Sequence, residues 1–113
     1  MATSTIKATT GAYLTVDAWG NKIQDGMCIV MRQGNTCRVY INFRATTTIT
    51  TTDAIVTLPS GYRPLGNYGL AGMLISSGVV VPYYGKIGSN GVVTQQAGST
   101  ISGGLLVGEF PLA

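Results

Sequence analysis

Apolar and polar residues alternate along short stretches of this chain, with the two-residue period of β-strands. No apolar period of 3.6 residues lasts for three turns, so no segment predicts a helix. Runs rich in β-branched and aromatic residues are separated by Gly, Asn, Asp and Pro, which is typical of a sandwich, a jelly roll or a barrel. We therefore expect an all-β fold, a compact antiparallel β-barrel or jelly-roll-like sandwich of about eight strands.

The clearest predicted element is a hairpin between residues 27–33 and 36–44, joined by Gly34 and Asn35. Glycine at the first central position is the signature of a type II′ turn, and this turn sets Cys28 opposite Ile41. Cys28 then lies four residues along the ladder from Cys37, which is about 13 Å at ~3.4 Å per residue and beyond the ~7 Å limit for a disulfide. We expect both cysteines to be buried thiols. The predicted core face of the hairpin consists of Cys28, Val30, Cys37, Val39, Ile41 and Phe43.

The opposite face of this hairpin mixes apolar and charged side chains. It carries Met27, Ile29, Met31, Arg38, Tyr40, Asn42 and Arg44. This face is too apolar for water and too charged for a simple core. Two interpretations remain open: contact with another subunit, or a second packed sheet with the arginines at its margin.

The rest of the chain predicts further strands of similar length. They cover residues 45–52, 53–58, 68–75, 79–84, 92–96 and 105–110, with turns at 76–78, 89–91 and 102–104. The first of these is a threonine tract, for which an exposed strand or loop is the favoured interpretation. The apolar ending at residues 110–113 predicts a C-terminus that is fixed to the domain.

Charge is scarce in the 113 residues, at 10% of the chain and a net +3. The seven basic residues are scattered, and no Lys/Arg run could follow a phosphate backbone, so nucleic acid is a weak candidate partner. A polar but nearly neutral surface suits uncharged, hydroxyl-rich ligands, and a self-associating surface would have the same composition.

The residue types needed for catalysis are few. Histidine is absent, which removes Ser-His and Cys-His pairs and the commonest metal ligand. A glycosidase pair from Asp17, Asp25, Asp53 and Glu109 is possible on paper, although nothing in their spacing favours it. The glycine clusters form no phosphate loop, and two isolated cysteines cannot make a structural zinc site. We expect a binding protein rather than an enzyme, with no cofactor and no metal.

No apolar run is long enough to span a bilayer, and residues 1–7 lack the apolar core of a signal peptide. We expect no membrane partner. The chain is expected to be intracellular, cut from a larger protein, or delivered inside an assembly.

Three places combine aromatic side chains with amides, the chemistry that stacks on sugar rings and satisfies sugar hydroxyls. Tyr83 and Tyr84 are adjacent on a strand, so one of them should be exposed. Gln95 and Gln96 lie on the next strand, and Trp19 lies in a turn. Taken singly, each has a simpler explanation, because Trp19 can plug the core and strand-end tyrosines often pack.

A series of short motifs resembles one known family. The landmarks in order are Trp19, Gly26, the turn at Gly34, the segment Leu-Pro-Ser-Gly-Tyr-Arg-Pro at 58–64, Gly72 with Met73, the turn at 89–92 and Gly-Glu-Phe-Pro-Leu at 108–112. Together they resemble the C-terminal head domain of receptor-binding proteins from baseplates of siphophages that infect lactic acid or related Gram-positive bacteria.

The resemblance implies a single receptor-binding head over residues 1–113, with residues 1–12 a leader or stem remnant. It also implies a homotrimer that follows a stem, contacts other baseplate proteins and binds host cell-wall polysaccharide or a related glycan. The protein would be made in the host cytoplasm and carried at the tail tip of the virion. Two other functions remain open: a structural tail or baseplate assembly domain without a ligand, and a bacterial carbohydrate-binding module.

The family's saccharide site uses a His and an Asp two apart on one strand and a Trp on the next. The matching positions fall near Tyr84, Lys86 and Gln96, none of which is identical, so a different sugar or a different site is implied. From the residues themselves we expect the ligand surface on two strands joined by the Asn90-Gly turn. The expected ligand-binding residues are Tyr83, Tyr84, Lys86, Asn90, Gln95 and Gln96, with Trp19 as a further candidate.

Overall fold

The computed structural model describes residues 6–8, 13–97 and 100–113. Within these ranges the chain forms nine β-strands and no helix, which confirms the all-β prediction. No described segment could therefore cross a membrane as a helix. The strands are β1 (Ile6–Ala8), β2 (Tyr13–Val16), β3 (Ile23–Gln33), β4 (Thr36–Ile49), β5 (Val56–Thr57), β6 (Tyr68–Ser76), β7 (Val79–Ile87), β8 (Val92–Gln95) and β9 (Ile101–Pro111).

One antiparallel sheet contains all nine strands, in the order β1-β2-β3-β4-β9-β6-β7-β8-β5. Its two ends approach each other between β5 and the segment that follows β2. There the Gly20 amide donates to the Ile55 carbonyl at 2.9 Å, and the Thr57 amide donates to the Ala18 carbonyl at 3.0 Å. The sheet is thus a nearly closed barrel, which leaves few free edges.

The predicted hairpin is confirmed in its register. Cys28 lies opposite Ile41, and Gly34 has the positive φ of 62° that a II′ turn needs at its first central position. All six predicted core residues of this hairpin are buried. Cys28 and Cys37 are free cysteines, as predicted, and burial raises the pKa of their thiols to about 12 and about 11 respectively.

Several predicted strand limits were wrong. The threonine tract does not form its own strand but continues β4 as far as Ile49, and only Val56–Thr57 of residues 53–58 is a strand. The predicted turn at 102–104 lies inside β9. Its glycines serve close packing, because a β-carbon on Gly104 would lie 2.6 Å from the Met73 carbonyl oxygen of β6.

The C-terminus is fixed to the domain, as predicted. The Leu112 amide donates to the Asn35 carbonyl at 2.7 Å, and the Ala113 amide donates to the Arg63 carbonyl at 2.9 Å. At the other end, residues 6–8 of the expected leader form β1, which pairs with β2. The remainder of residues 1–12 lies outside the described residues.

Candidate functional site: a polar groove beside the β7–β8 turn

The turn between β7 and β8 holds the predicted site residue Asn90 at the surface. The Gly91 amide closes it on the Gly88 carbonyl at 2.9 Å, and the Val92 amide donates to Asn90 Oδ1 at 3.1 Å. Among the described residues, the amide nitrogen of Asn90 has no hydrogen-bond partner. Lys86 precedes the turn on β7 and lies opposite Thr94 of β8. Because strand partners of this kind lie about 5 Å apart, Lys86 and Thr94 form one wall.

An open groove of about 240 Å³ lies against this wall. Glycine at position 88 lets the side chains of Asn90 and Asn67 lie close to the backbone there, because a β-carbon would lie 3.1 Å from Asn90 Oδ1 and 3.3 Å from Asn67 Oδ1. No carboxylate is among the described lining residues, so the groove offers amides, hydroxyls and one ammonium group. Its lining consists of Thr51, Asn67, Lys86, Gly88, Asn90, Val92 and Thr94.

Lys86 differs from the other described cations. It is exposed, and it is the one described Lys or Arg side chain that makes no hydrogen bond or ion pair with the protein. Its ammonium is therefore available to a ligand without breaking an internal contact. The cations that do have partners are Lys22, Arg32, Arg38, Arg44 and Arg63.

Tyr84 and Gln96 extend the groove-bearing face. The Gln96 amide donates to the Tyr84 carbonyl at 3.0 Å, so these residues are neighbours two residues along the ladder from Lys86 and Thr94. Tyr84 is 53% exposed. Gln96 is half-buried, and its side-chain nitrogen donates to Thr94 Oγ1 at 3.1 Å and to the Gln95 carbonyl at 2.9 Å.

Gln95 does not belong to this surface, so its place in the predicted site was wrong. It is fully buried on the inner face of β8, where its Nε2 donates to the Ile49 carbonyl at 3.4 Å. Its Oε1 accepts the Ala97 amide. Adjacent residues of a strand point to opposite faces, so only one of the two glutamines could face outward. Gln95 acts as an internal tie between the ends of β4 and β8.

Tyr83 and Trp19 lie apart from the groove. Tyr83 points to the opposite side of β7 from Tyr84, yet it is also exposed, at 42%. Both tyrosines are thus exposed, whereas the prediction required only one of them to be. Trp19 is half-buried against the core and bridges Val56 where the barrel closes, so it is a plug of the fold and does not line the groove.

Sequence reasoning named Lys86 and Asn90 and missed the five other lining residues, Thr51, Asn67, Gly88, Val92 and Thr94. Asn67 could have been found, because the predicted turn at 76–78 fixes the β6–β7 register and sets Tyr68 opposite Ile87, next to Gly88. Thr51 carries no comparable signal. It reaches the groove from the end of β4 only through the curvature of the whole sheet.

A second surface covers the outer side of five consecutive strands, β3, β4, β9, β6 and β7. The register aligns one residue from each strand in a single row: Ile29, Tyr40, Val107, Ala71 and Tyr84. Met27, Leu105 and Met73 lie in the adjacent row. We call these eight residues the outer apolar face. No second sheet covers it in the described chain, so that interpretation of the predicted hairpin face was wrong.

Three of the four acidic side chains form ion pairs with basic side chains. Asp25 pairs with Arg44 at 2.6 Å, and Glu109 pairs with Arg38 at 2.9 Å. Asp53 contacts Lys22 at 3.2 Å. The described residues contain no cluster of three or more His, Cys, Asp or Glu side chains that could hold a metal ion.

Comparison with known proteins identifies no relative: no family model matches the chain, and no curated protein matches it. The groove, the unpartnered Lys86 and the outer apolar face are therefore the features from which a function can be argued.

Proposed function

We propose that this domain binds a saccharide in the groove beside the β7–β8 turn. The observation that carries the proposal is the unpartnered Lys86 in a groove otherwise lined mainly by amide and hydroxyl groups. Sugar hydroxyls both donate and accept hydrogen bonds, and side chains of Asn and Thr can satisfy both roles. A lysine ammonium adds three donors and suits an oxygen-rich ligand.

Tyr84 supplies an aromatic ring, which the polar groove itself lacks. Its exposed ring lies on the same face of β7 as Lys86, two residues away, or roughly 7 Å along the strand. That spacing allows one sugar ring to lie against the tyrosine while a neighbouring unit reaches the ammonium. A shallow site of this type is expected to bind at roughly millimolar to micromolar Kd, about −4 to −8 kcal/mol.

The biological setting that we propose is the head of a bacteriophage receptor-binding protein. The motifs from Trp19 to Leu112 support it, and so does the composition, in which a polar and nearly neutral surface suits hydroxyl-rich ligands. The ligand would then be a host cell-surface polysaccharide, and the domain would work in the virion at the tail tip. A bacterial carbohydrate-binding module would use the same groove and differs only in its setting.

A microarray of purified bacterial cell-wall polysaccharides, followed by calorimetric titration of the glycans that bind, tests the proposal. Lys86→Gln removes the ammonium but keeps a polar side chain. Because a hydrogen bond to a charged group contributes about 1.5–3 kcal/mol, the variant should bind about 10- to 100-fold more weakly. Arg32→Gln is the matched control, since it removes an exposed cation that does not line the groove.

The double variant Tyr84→Ala, Gln96→Ala tests the other half of the face. It should abolish adsorption to cells that carry the glycan, and it should leave thermal stability nearly unchanged because both side chains are at the surface. Full affinity in Lys86→Gln would place the site elsewhere. Absence of binding to every glycan at millimolar concentration would refute saccharide recognition and favour a structural assembly domain.

A further inference from the structure

Two groups of opposite charge lie on either side of β6, next to the groove. Lys86 of β7 lies opposite Gly69 of β6. On the other side of β6, Ala71 pairs with Val107 of β9. Two residues further along the same ladder, Glu109 lies beside Gly69. Gly69 is therefore placed between an ammonium group on one neighbouring strand and a carboxylate on the other.

The space over Gly69 is open to a ligand. Gly69 is exposed, and a β-carbon added to it would have no neighbouring atom within 4 Å. The backbones of β7 and β9 lie two strand spacings apart, or about 9.6 Å. Because Gly69 has no side chain to occupy this space, Lys86 and Glu109 border it from two sides.

Both bordering groups keep hydrogen-bonding capacity for a ligand. The Lys86 ammonium has no partner among the described residues. Glu109 accepts a hydrogen bond from the Arg38 guanidinium through Oε2 at 2.9 Å, and its Oε1 accepts none within the described ranges. An ammonium only donates and a carboxylate only accepts, whereas a sugar hydroxyl does both. A sugar unit over Gly69 can therefore be bound from both sides.

The next outward position of β6 offers an apolar contact. Ala71 lies between Tyr84 of β7 and Val107 of β9, both of which are exposed. An aromatic ring beside an aliphatic side chain suits the apolar face of a second sugar unit. In the other direction the path leads to Asn67, which lines the groove. From Asn67 to Ala71 it measures roughly 13 Å, which is the length of a short oligosaccharide.

We propose that the saccharide site continues from the groove along the outer side of β6, with one sugar unit held between Lys86 and Glu109 and its neighbour over Ala71. This inference rests on the proposed saccharide function and adds the class of ligand, an oligosaccharide segment built of uncharged units. An anionic unit is attracted by Lys86 but repelled by Glu109, and the reverse holds for a cationic unit. Only a neutral, hydroxyl-rich unit gains from both groups, so the site selects against charged polymers of either sign.

The class of ligand is tested on the polysaccharide array, with polygalacturonate added as a polyanion and chitosan, at pH 6, as a polycation. The glycans that bind should be built of uncharged units. Their affinity should change less than about twofold between roughly 50 and 500 mM NaCl, because salt screens interactions between charges. Binding of polygalacturonate or chitosan as tight as that of the best neutral glycan would overturn the inference.

The position of the site is tested by calorimetric titration of a bound neutral glycan. Glu109→Gln removes the carboxylate and should weaken binding about 10- to 100-fold, as expected for the loss of a hydrogen bond to a charged group. Asp25→Asn is the matched control. Asp25 is also an exposed carboxylate paired with an arginine, but it lies on β3, away from β6, so this variant should bind as the wild type does.

Gly69→Val fills the space between the two charged groups. Binding should weaken at least about 10-fold, because the side chain occupies the place of a sugar unit. The midpoint of urea denaturation should not fall, since the added side chain enters open space and β-branched residues favour strands. Asn42→Val places the same side chain at another exposed strand position, on β4, and should keep wild-type affinity.

The outcomes separate this inference from the proposed function. Wild-type affinity in both Glu109→Gln and Gly69→Val, with weaker binding in Lys86→Gln, would overturn the extension along β6 and leave the groove as the site. Absence of binding to every glycan would refute both proposals. Should circular dichroism show that Gly69→Val does not fold, the result for Glu109→Gln decides.

Discussion

Replacing Gln95 by leucine tests whether this buried amide holds the end of β8 to the end of β4. The substitution keeps approximate volume but removes the donor to the Ile49 carbonyl and the acceptor of the Ala97 amide. A buried group left without its partner costs about 1–3 kcal/mol, and loss of a second, ordinary hydrogen bond costs about 0.5–1.5 kcal/mol. Added leucine burial offsets part of this. We expect Gln95→Leu to lower the free energy of unfolding by about 1–4 kcal/mol.

Urea denaturation followed by circular dichroism measures this loss. With a slope of about 2 kcal/mol per molar urea, the midpoint should fall by about 0.5–2 M. Gln96→Leu is the internal control, because it makes the same chemical change one residue later on the opposite face. Its side chain is half-buried and bonds only locally, so its midpoint should move by no more than about 0.5 M. Equal stability of Gln95→Leu and wild type, or a larger loss in Gln96→Leu, would refute this account of β8.

Four further experimental outcomes are expected from the packing of the core and from the pKa shifts of Cys28, Cys37 and Asp53. Cys28 and Cys37, with pKa values raised to about 12 and about 11, should resist a thiol reagent at pH 8 in the folded protein and react fully in denaturant. Because these thiols ionise first in the unfolded chain, stability should also fall as pH rises above 9, and substitution of both cysteines by valine should reduce that fall. Gly104→Ala should lower the free energy of unfolding by about 1–3 kcal/mol through its contact with β6, whereas Gly69→Ala, which has open space, should be nearly neutral in the same urea assay. The pKa of Asp53 is lowered, chiefly by the hydrogen bond from the Thr50 backbone amide. The ionised carboxylate therefore stabilises the fold above pH 3.8, and this contribution is lost as the pH falls through the lower pKa of the folded state. Thermal melts at successive pH values should show that Asp53→Asn is less sensitive to acid over that range.

The sequence by itself determined the class of fold and its local geometry. Alternation with a two-residue period and the Gly34-Asn35 turn were enough to predict the β3–β4 register, the buried thiols of Cys28 and Cys37 and the exposed face opposite them. These features are local, because a tight turn sets the pairing and each residue's face follows from strand geometry. The same reasoning brought Lys86 and Asn90 to one turn at the surface.

Only the tertiary structure decided which strands are neighbours and which face of each strand is inside. Strand β9 pairs with both β4 and β6. Because of this non-local pairing, the glycines at 103–104 make close contacts with the neighbouring strands instead of forming the turn that was expected. Which side chains of β8 point into the barrel depends on how the strand packs against the rest of the sheet. This packing buries Gln95 and leaves Gln96 on the outer side. Thr51 enters the groove because the sheet curves and nearly closes on itself. The five strands align one apolar row because of their pairing register. Pairing between distant segments leaves no mark in the local pattern, since a strand of given composition can pair with several partners.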